Sequence, residues 1–558
     1  MSSADASREA AGGARPRGAL AVGAGILISR FAGLARAAAT SAAFGVGAYA
    51  DVFQTALRAP NILQNLLGEQ ALSASFIPVY SRFLARGDAE GARRFAGAVF
   101  GLLVAVAGGL ALLGVVAARP IVALFAAGYL QDAAAVAAGE AAVDRYELAI
   151  AAVRWIFPMT GLLVLSAWAL GVLNSHRRFF LPYVAPVAWN AAIVAALWLG
   201  GEGLLDVAGP RASTGERLLF AACLGALAGG VLQLAVQLPA VLHEVGGLRL
   251  SLSRSVDGVR EALAAFAPAL AGRGVVQLSS YLDQILASLL AVGAVSALGY
   301  AQMLYLLPVA LFGQAIAAAA LPELSRSAAG TADELVPRAR RALGDAEFLH
   351  LPATIGLVAF APVAVAGVYQ LLPGRFGAAD VALVAAVLAT YAVGLPASIS
   401  SRVLQTSFFA LGDTRTPARI AALRVTLGGA AGVAAMLALD RLPVERLPGF
   451  AAAQPSGLRL GAVGLALGAS VGAWIERARL GRALARRAGS VVPERRESLR
   501  RLLAAVAAAL PAWALAAWTA GLHPTLRATA VFTGFAAVYL ALARGGPLPG
   551  LDRLRRRK

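Results

Sequence analysis

The residues with the greatest chemical potential are ionisable groups inside apolar runs. The first run, Ala19–Phe44, contains Arg30 and Arg36. The second begins near Asp51 and carries Arg58 and Glu69, and later runs hold Arg154, Arg273, Asp283 and Arg402. A charge facing lipid costs a few kcal/mol, so such groups face a cavity or a partner. Arg30 and Arg36 are separated by about 9 Å of helical rise and about 120° of rotation, which suits two walls or two depths of one cavity. Arginine in excess of carboxylate points to an anionic substrate, and its planar donor fork suits phosphate. A purely structural reading stands beside this one. Arg30 then pairs with Asp51 or Glu69, Arg154 and Arg273 snorkel to the interface, and Asp283 is a hydrogen-bond partner rather than an ion ligand.

Other chemistries find little support. His176, His243, His350 and His523 are scattered and form no HExxH or close metal pair. No GxxxxGK[ST] loop is present, and the only lysine is Lys558, so the chain reads as neither an ATPase nor a Schiff-base enzyme. Cys223 is the sole cysteine and has no disulfide partner within the chain. Energy must then come from an ion gradient, the membrane potential or a partner.

The elements that carry these charges are membrane helices. Of 558 residues, 59% are apolar and 14% charged, and the mean hydropathy is +0.72. That excludes an ordinary soluble enzyme, a secreted module or a disordered scaffold. About fourteen runs are long enough to span: 19–44, 50–84, 93–117, 145–173, 181–200, 217–242, 258–291, 296–322, 338–370, 380–410, 417–438, 459–480, 499–520 and 524–543. Pro60, Pro78, Pro158, Pro308 and Pro396 mark expected kinks. The segment to Gly18 is basic and lacks a signal-peptide core, so the first run is expected to be retained.

Net charge is +19. With a cytoplasmic N-terminus, about 34 of the 49 basic residues fall in inside loops, including Arg424, while Asp132, Glu140, Asp206 and Glu216 fall outside. An even count with both termini cytoplasmic follows. The tail RLRRRK reads as stop-transfer charge touching anionic lipid, not as a nucleic-acid site.

The chain also repeats itself. VGAYA at 46–50 returns as VGAVS at 292–296, IPVYSR at 77–82 as LPELSR at 321–326, and NSHRRF at 174–179 as GDTRTP at 412–417. Same-order repeats about 240 residues apart imply two lobes related by an axis along the membrane normal, as in transporters. The expected organisation is a tail (1–18), an N-terminal lobe (19–243), a C-terminal lobe (258–481), an added helix pair (496–544) and a basic cytoplasmic tail (545–558).

The run ISRFAGLAR at 28–36 leads through FGVGAYADVF to RAPNILQNLLGEQALSASFIPVYSRFL. With FPMTGLLVLSAWALGVLNSHRRFFLPYVAPVAWN, LPVALFGQAIAAAALPELSR and FFALGDTRTPARIA, it resembles the MurJ (MviN) family of lipid II flippases over residues 20–540. The resemblance implies an all-α polytopic bacterial inner-membrane protein of fourteen helices. These form two six-helix lobes around a cationic central cavity, plus a C-terminal pair that helps form a groove for the lipid tail. The implied partners are lipid II (undecaprenyl-diphosphate carrying a disaccharide-pentapeptide), the bilayer and the cell-wall synthesis machinery. The implied substrate-binding positions are Ser29, Arg30, Arg36, Asp51, Arg58, Asn61, Glu69 and Arg402. Pro60 precedes Asn61 in the same motif.

Two family cations are replaced. Gln64 stands where many members have arginine, and Gln302-Met303 where many have Asp-Arg; Arg273 is a candidate for compensation. The resemblance also suggests coupling to sodium, protons or membrane potential, with Asp283 as a candidate sodium ligand and Asp413 near the facing helix. The alternatives are an exporter of another undecaprenyl-diphosphate-linked oligosaccharide or of drugs, a membrane glycosyltransferase using an exposed Asp132 or Glu140, and an inactive scaffold.

Overall fold

Runs rich in alanine and leucine satisfy every backbone polar group within the helix, the arrangement a lipid environment demands. The computed structural model describes residues 16–139, 142–314, 332–447 and 455–543, with Ile316 and Leu324. Apart from an isolated bridge between Pro443 and Arg459, it is helix and loop there. The N-terminal and C-terminal tails lie largely outside the described residues, as does most of LPELSR.

The chain separates into two compact units. One runs through Phe44 and from Ala48 to Ile285; the other comprises Gly45–Gly47 and the chain from Leu286 onward. The first contains α1 (Pro16–Phe44), α2 (Ala48–Leu67), α3 (Glu69–Ala85), α4 (Ala89–Val116), α5 (Ala118–Phe125), α6 (Asp132–Ala137), α7 (Arg145–Ser175), α8 (Phe180–Val184), α9 (Pro186–Gly201), α10 (Thr214–Val245) and most of α11 (Val259–Ser288). The second contains α12 (Ala294–Pro308), which runs into a π-helical turn at Val309–Gln314, then α13 (Ala332–Ala359), α14 (Ala361–Tyr369), α15 (Ala378–Val393), α16 (Leu395–Ala410), α17 (Arg415–Leu439), α18 (Gly461–Ala488), α19 (Arg495–Trp518) and α20 (Pro524–Ala543).

Helix occupies each of the fourteen expected runs where the chain is described. Among the described residues, nine helices are long and apolar enough to cross a membrane, or twelve if three bent pairs each count as one span. Bends and breaks in the helices correct the sequence reading. Residues 118–137, expected as an outside loop, form two helical pieces bent by 105°. The run 50–84 is not one helix but breaks at Gly68, where a Cβ would lie 2.2 Å from the Gln64 carbonyl oxygen. Glu69 is therefore the first residue of α3 rather than a mid-span charge. Prolines mark the breaks unevenly. Pro60, Pro78 and Pro158 sit inside unbroken helices, Pro308 immediately precedes the π turn, and Pro396 opens α16 at a 40° bend.

The core of the first unit gathers around α7. Phe76 stacks on Tyr80 and Phe95 and meets the edge of Trp168, all wholly buried, joining α3, α4 and α7. Ser213 and Glu216 form a reciprocal capping box at the start of α10, and Gly246 ends it in a left-handed conformation.

A buried charge cluster fastens the bent segment to this core. Arg145, in the first turn of α7, donates from Nε and Nη2 to Asp132 at 2.6 and 3.0 Å, and from Nη1 to Asp51 at 3.3 Å. Its guanidinium lies over the Tyr129 ring, 4.3 Å from the centroid. Tyr129 shares a 3.2 Å hydrogen bond with Thr55, which also accepts from Gln284 at 3.3 Å. Asp51 is fully buried, Arg145 and Asp132 nearly so. A cation at a helix N-terminus opposes the helix dipole, and the two carboxylates offset that cost. Asp132 is thus not the solvated loop charge expected from sequence.

In the second unit, α17 and α18 meet along glycines. A Cβ on Gly464 would fall 2.3 Å from the Met436 nitrogen, and one on Gly468 would fall 2.4 Å from the Gly432 Cα. Before α17, Asp413 accepts from the Thr416 backbone at 2.9 Å and pairs with Arg487. The Thr416 hydrogen bonds, then the arginine, hold its carboxyl at about 2, below the usual carboxylate range.

Two outcomes follow. Arg145→Met orphans two buried carboxylates and should destabilise the protein by about 3–5 kcal/mol. Adding Asp51→Asn and Asp132→Asn should recover part of that loss, read by thermal denaturation in detergent. For Asp413, a lowered folded pKa means stabilisation is present above the unfolded value and lost as pH falls through the folded one. The melting difference between parent and Asp413→Asn should persist near neutral pH and close between about pH 4 and about pH 2.

Candidate functional site

In the first unit, α1 carries Ser29, Arg30 and Arg36. Arg30 is exposed, Ser29 and Arg36 half-buried. Arg36 is held by α9: its Nε donates to Asn190 Oδ1 at 2.8 Å, and its guanidinium lies over Trp189, 5.1 Å from the ring centroid. Both of these contacts are with neutral groups. Asn190 also lines an apolar cavity of about 450 Å³ between α1 and α9, with Ala32, Ala35, Val194 and Trp198.

The other expected positions divide. Asp51 belongs to the buried cluster with Arg145, so the pairing of Arg30 with Asp51 weighed from sequence does not form. Arg58 and Asn61 follow on α2, both half-buried and one turn apart. The side chains of Glu69 and Arg273 lie outside the described residues. Arg154 is exposed on α7. Asp283 is half-buried on α11, beside Gln284. Among the described residues no three His, Cys, Asp or Glu side chains converge as a metal-binding group.

In the second unit, half-buried Arg402 lies on α16 against the π turn, where a Cβ on Gly313 would be 3.1 Å from its Cδ. Among the described residues it takes no carboxylate as an ion-pair partner. The carboxylate of this region, Glu476 on α18, is engaged by Arg424 at 2.7 Å and Gln405 at 2.8 Å. Arg424, grouped with loop cations from sequence, therefore sits within α17. Beside Arg402, the Tyr305 hydroxyl donates to Ser398 at 2.8 Å, and Tyr305 stacks on Tyr391. Gln302, at a departure from the family pattern, donates to the Tyr391 hydroxyl at 3.0 Å.

A long apolar groove of about 420 Å³ runs along the same unit. Its walls are Leu304, Leu307 and Leu311 from α12 and the π turn, Phe348 and Pro352 from α13, and Phe532 and Phe535 from α20. Tyr539 closes one side and donates its hydroxyl proton to the Phe348 carbonyl at 2.8 Å.

Several of these residues escaped the sequence reading. Arg145 sits at a span boundary and looks like an interfacial charge, and its partners are distant in sequence. Asn190 had a usable signal as a polar residue within an otherwise apolar run, whereas Glu476 is followed by Arg477 and Arg479 and reads as part of the charged end of its span. The buried state of Asp132 removes one of the two loop carboxylates considered for a glycosyltransferase; Glu140 lies outside the described residues.

Residues 40–533 match the family model described as "Lipid II flippase MurJ". A probable lipid II flippase MurJ of Rhizobium tropici is 32% identical over 423 residues, 74% of each chain. The lipid II flippase MurJ of Burkholderia cenocepacia is 32% identical over 410 residues, 73% of this chain and 75% of that one. Among solved structures, a lipid II flippase MurJ in an inward closed conformation superposes with a TM-score of 0.69 at 19% identity, covering 94% of this chain and 97% of the other. An inward-facing multidrug MATE transporter of the MOP superfamily follows at 0.58 and 16%, covering 81% and 95%; at these identities the likeness is one of fold. The architecture, the arginine-bearing helices and the sequence match agree, and the chain belongs to the MurJ family of lipid II flippases.

Proposed function

We propose that this multi-pass membrane protein moves lipid II from the cytoplasmic to the outer leaflet by alternating access, with arginines taking the headgroup while the isoprenoid tail stays in an apolar groove. One observation carries the reading. In the second unit the π turn serves both ends of such a substrate: Leu311 and Phe312 line the groove, and the next residue, Gly313, lies against Arg402. A diphosphate-linked lipid has the same polarity, with an anionic head joined to a long apolar tail.

Arg36 is the matching cation of the first unit, held by the Asn190 amide and the Trp189 ring, with a planar donor fork suited to phosphate. Arg30 sits further along α1, with Ser29 as a neighbouring donor. Asp51 has a different part in this scheme, fixing α2 and α7 through Arg145 rather than touching the headgroup. Return of the empty carrier draws on the membrane potential or a cation gradient. Asp283 is the acidic residue to test for the latter, though its described surroundings do not supply a carboxylate cage. The basic bias of the loops supports a bacterial inner-membrane orientation with both termini in the cytoplasm.

Reconstituted in vesicles, Arg36→Ala and Arg402→Ala should each lower lipid II flipping at least about tenfold, the scale of one lost charge-assisted contact, without loss of membrane protein level. Flipping at the parent rate by either variant would remove that arginine from the mechanism. Orientation is read separately. Cys223 is buried and gives the parent little background with an impermeant thiol reagent. In intact cells, Glu202→Cys should label and Arg86→Cys should not; the reverse pattern would invert the topology.

A further inference from the structure

We infer that Asn190 and Trp189 are positioning residues that set the guanidinium plane of Arg36 for phosphate and thereby help determine headgroup affinity. The inference rests on the proposed contact of Arg36 with the headgroup. Its warrant is the chain of contacts behind that arginine. Asn190 donates from Nδ2 to the Pro186 carbonyl at 2.9 Å, one turn back on α9. That bond fixes which way the amide faces, because a flipped amide would set oxygen against oxygen and NH₂ against a guanidinium donor. Oδ1 is therefore aimed at Arg36, whose Nε it accepts at 2.8 Å.

Trp189 is anchored just as firmly. Its indole Nε1 donates to the Ala226 carbonyl at 3.1 Å and lies 3.1 Å from Met159 Sδ. Gly229 on α10 leaves room for the ring, since a Cβ there would lie 2.8 Å from Trp189 Cδ1. The indole face then supports the guanidinium. A hydrogen bond to Nε and a stack on the plane together fix both the position and the tilt of the fork. A long flexible side chain ordered before substrate arrives loses less entropy when it binds. Neither Asn190 nor Trp189 itself brings a negative charge to the guanidinium it orders. Lysine has neither the Nε nor the plane and cannot be held this way.

The test is a double-mutant cycle on purified full-length protein, with lipid II as the titrated ligand and melting temperature recorded alongside. Asn190→Leu should weaken lipid II binding about tenfold in the parent background and less than about twofold in Arg36→Lys, which lacks the accepted donor. Equal losses in both backgrounds would mean a general packing role and overturn the inference. Parent-like binding by Asn190→Leu, with Arg36→Ala impaired, would overturn the inference alone. Parent-like binding by Arg36→Ala would overturn both it and the headgroup assignment. If Asn190→Leu lowers the melting temperature or the membrane level, Asn190→Ser replaces it in the same cycle, with the same expected coupling to Arg36.

Discussion

Burying charge away from water is the constraint that organises this protein, and the contact in which it is most plainly met is the one between Arg145 and its two aspartates. An ion moved from water into a medium of low dielectric loses several kcal/mol of solvation unless partners replace the water. Arg145 recovers it from Asp51 and Asp132 at once. In doing so it fixes the start of α7, the start of α2 and the bent segment to one another. Glu476 repeats the solution in the other unit, drawing Arg424 and Gln405 onto α18.

The arginines divide by what holds them. Those paired with carboxylates are neutralised and serve the scaffold. Arg36 is held by an amide and an indole, and Arg402 lies against a glycine, contacts that themselves bring no negative charge. In the proposed mechanism an anionic headgroup engages the second set and not the first. Counting intramembrane charges cannot separate them, because an arginine that binds substrate and one that braces a helix contribute equally to the count.

Much of this was legible in the sequence because it depends on local pattern. The apolar runs gave the helices, and the segment around Arg30 and Arg36 gave the family. The missing parts depend on contacts across long separations. Asp51 and Arg145 are 94 residues apart and Arg36 and Asn190 are 154 apart, and no window along the chain brings them together. The bend in residues 118–137 was missed for a related reason: the segment is held by the buried Tyr129 and Asp132 rather than by any turn signature. Proline was an uneven guide. Where the preceding turn tolerates it, as at Pro158, the helix continues, while the break at Gly68 needed no proline.

The glycine seam between α17 and α18 has a consequence for how such a sequence drifts. Every glycine codon begins with two guanines, and any single-base change that alters the residue installs at least a Cβ or ends the chain. At Gly464 and Gly468 that carbon has backbone atoms of the facing helix within 2.5 Å, so the nearest mutational neighbours of these codons are all blocked. The exposed leucines of α19 and α20, such as Leu510 and Leu526, have many apolar neighbours one base away and room to accept them. Divergence is thus channelled outward. The lipid-facing surface is free to follow the genome's base composition, while the seam keeps its glycines whatever that composition becomes.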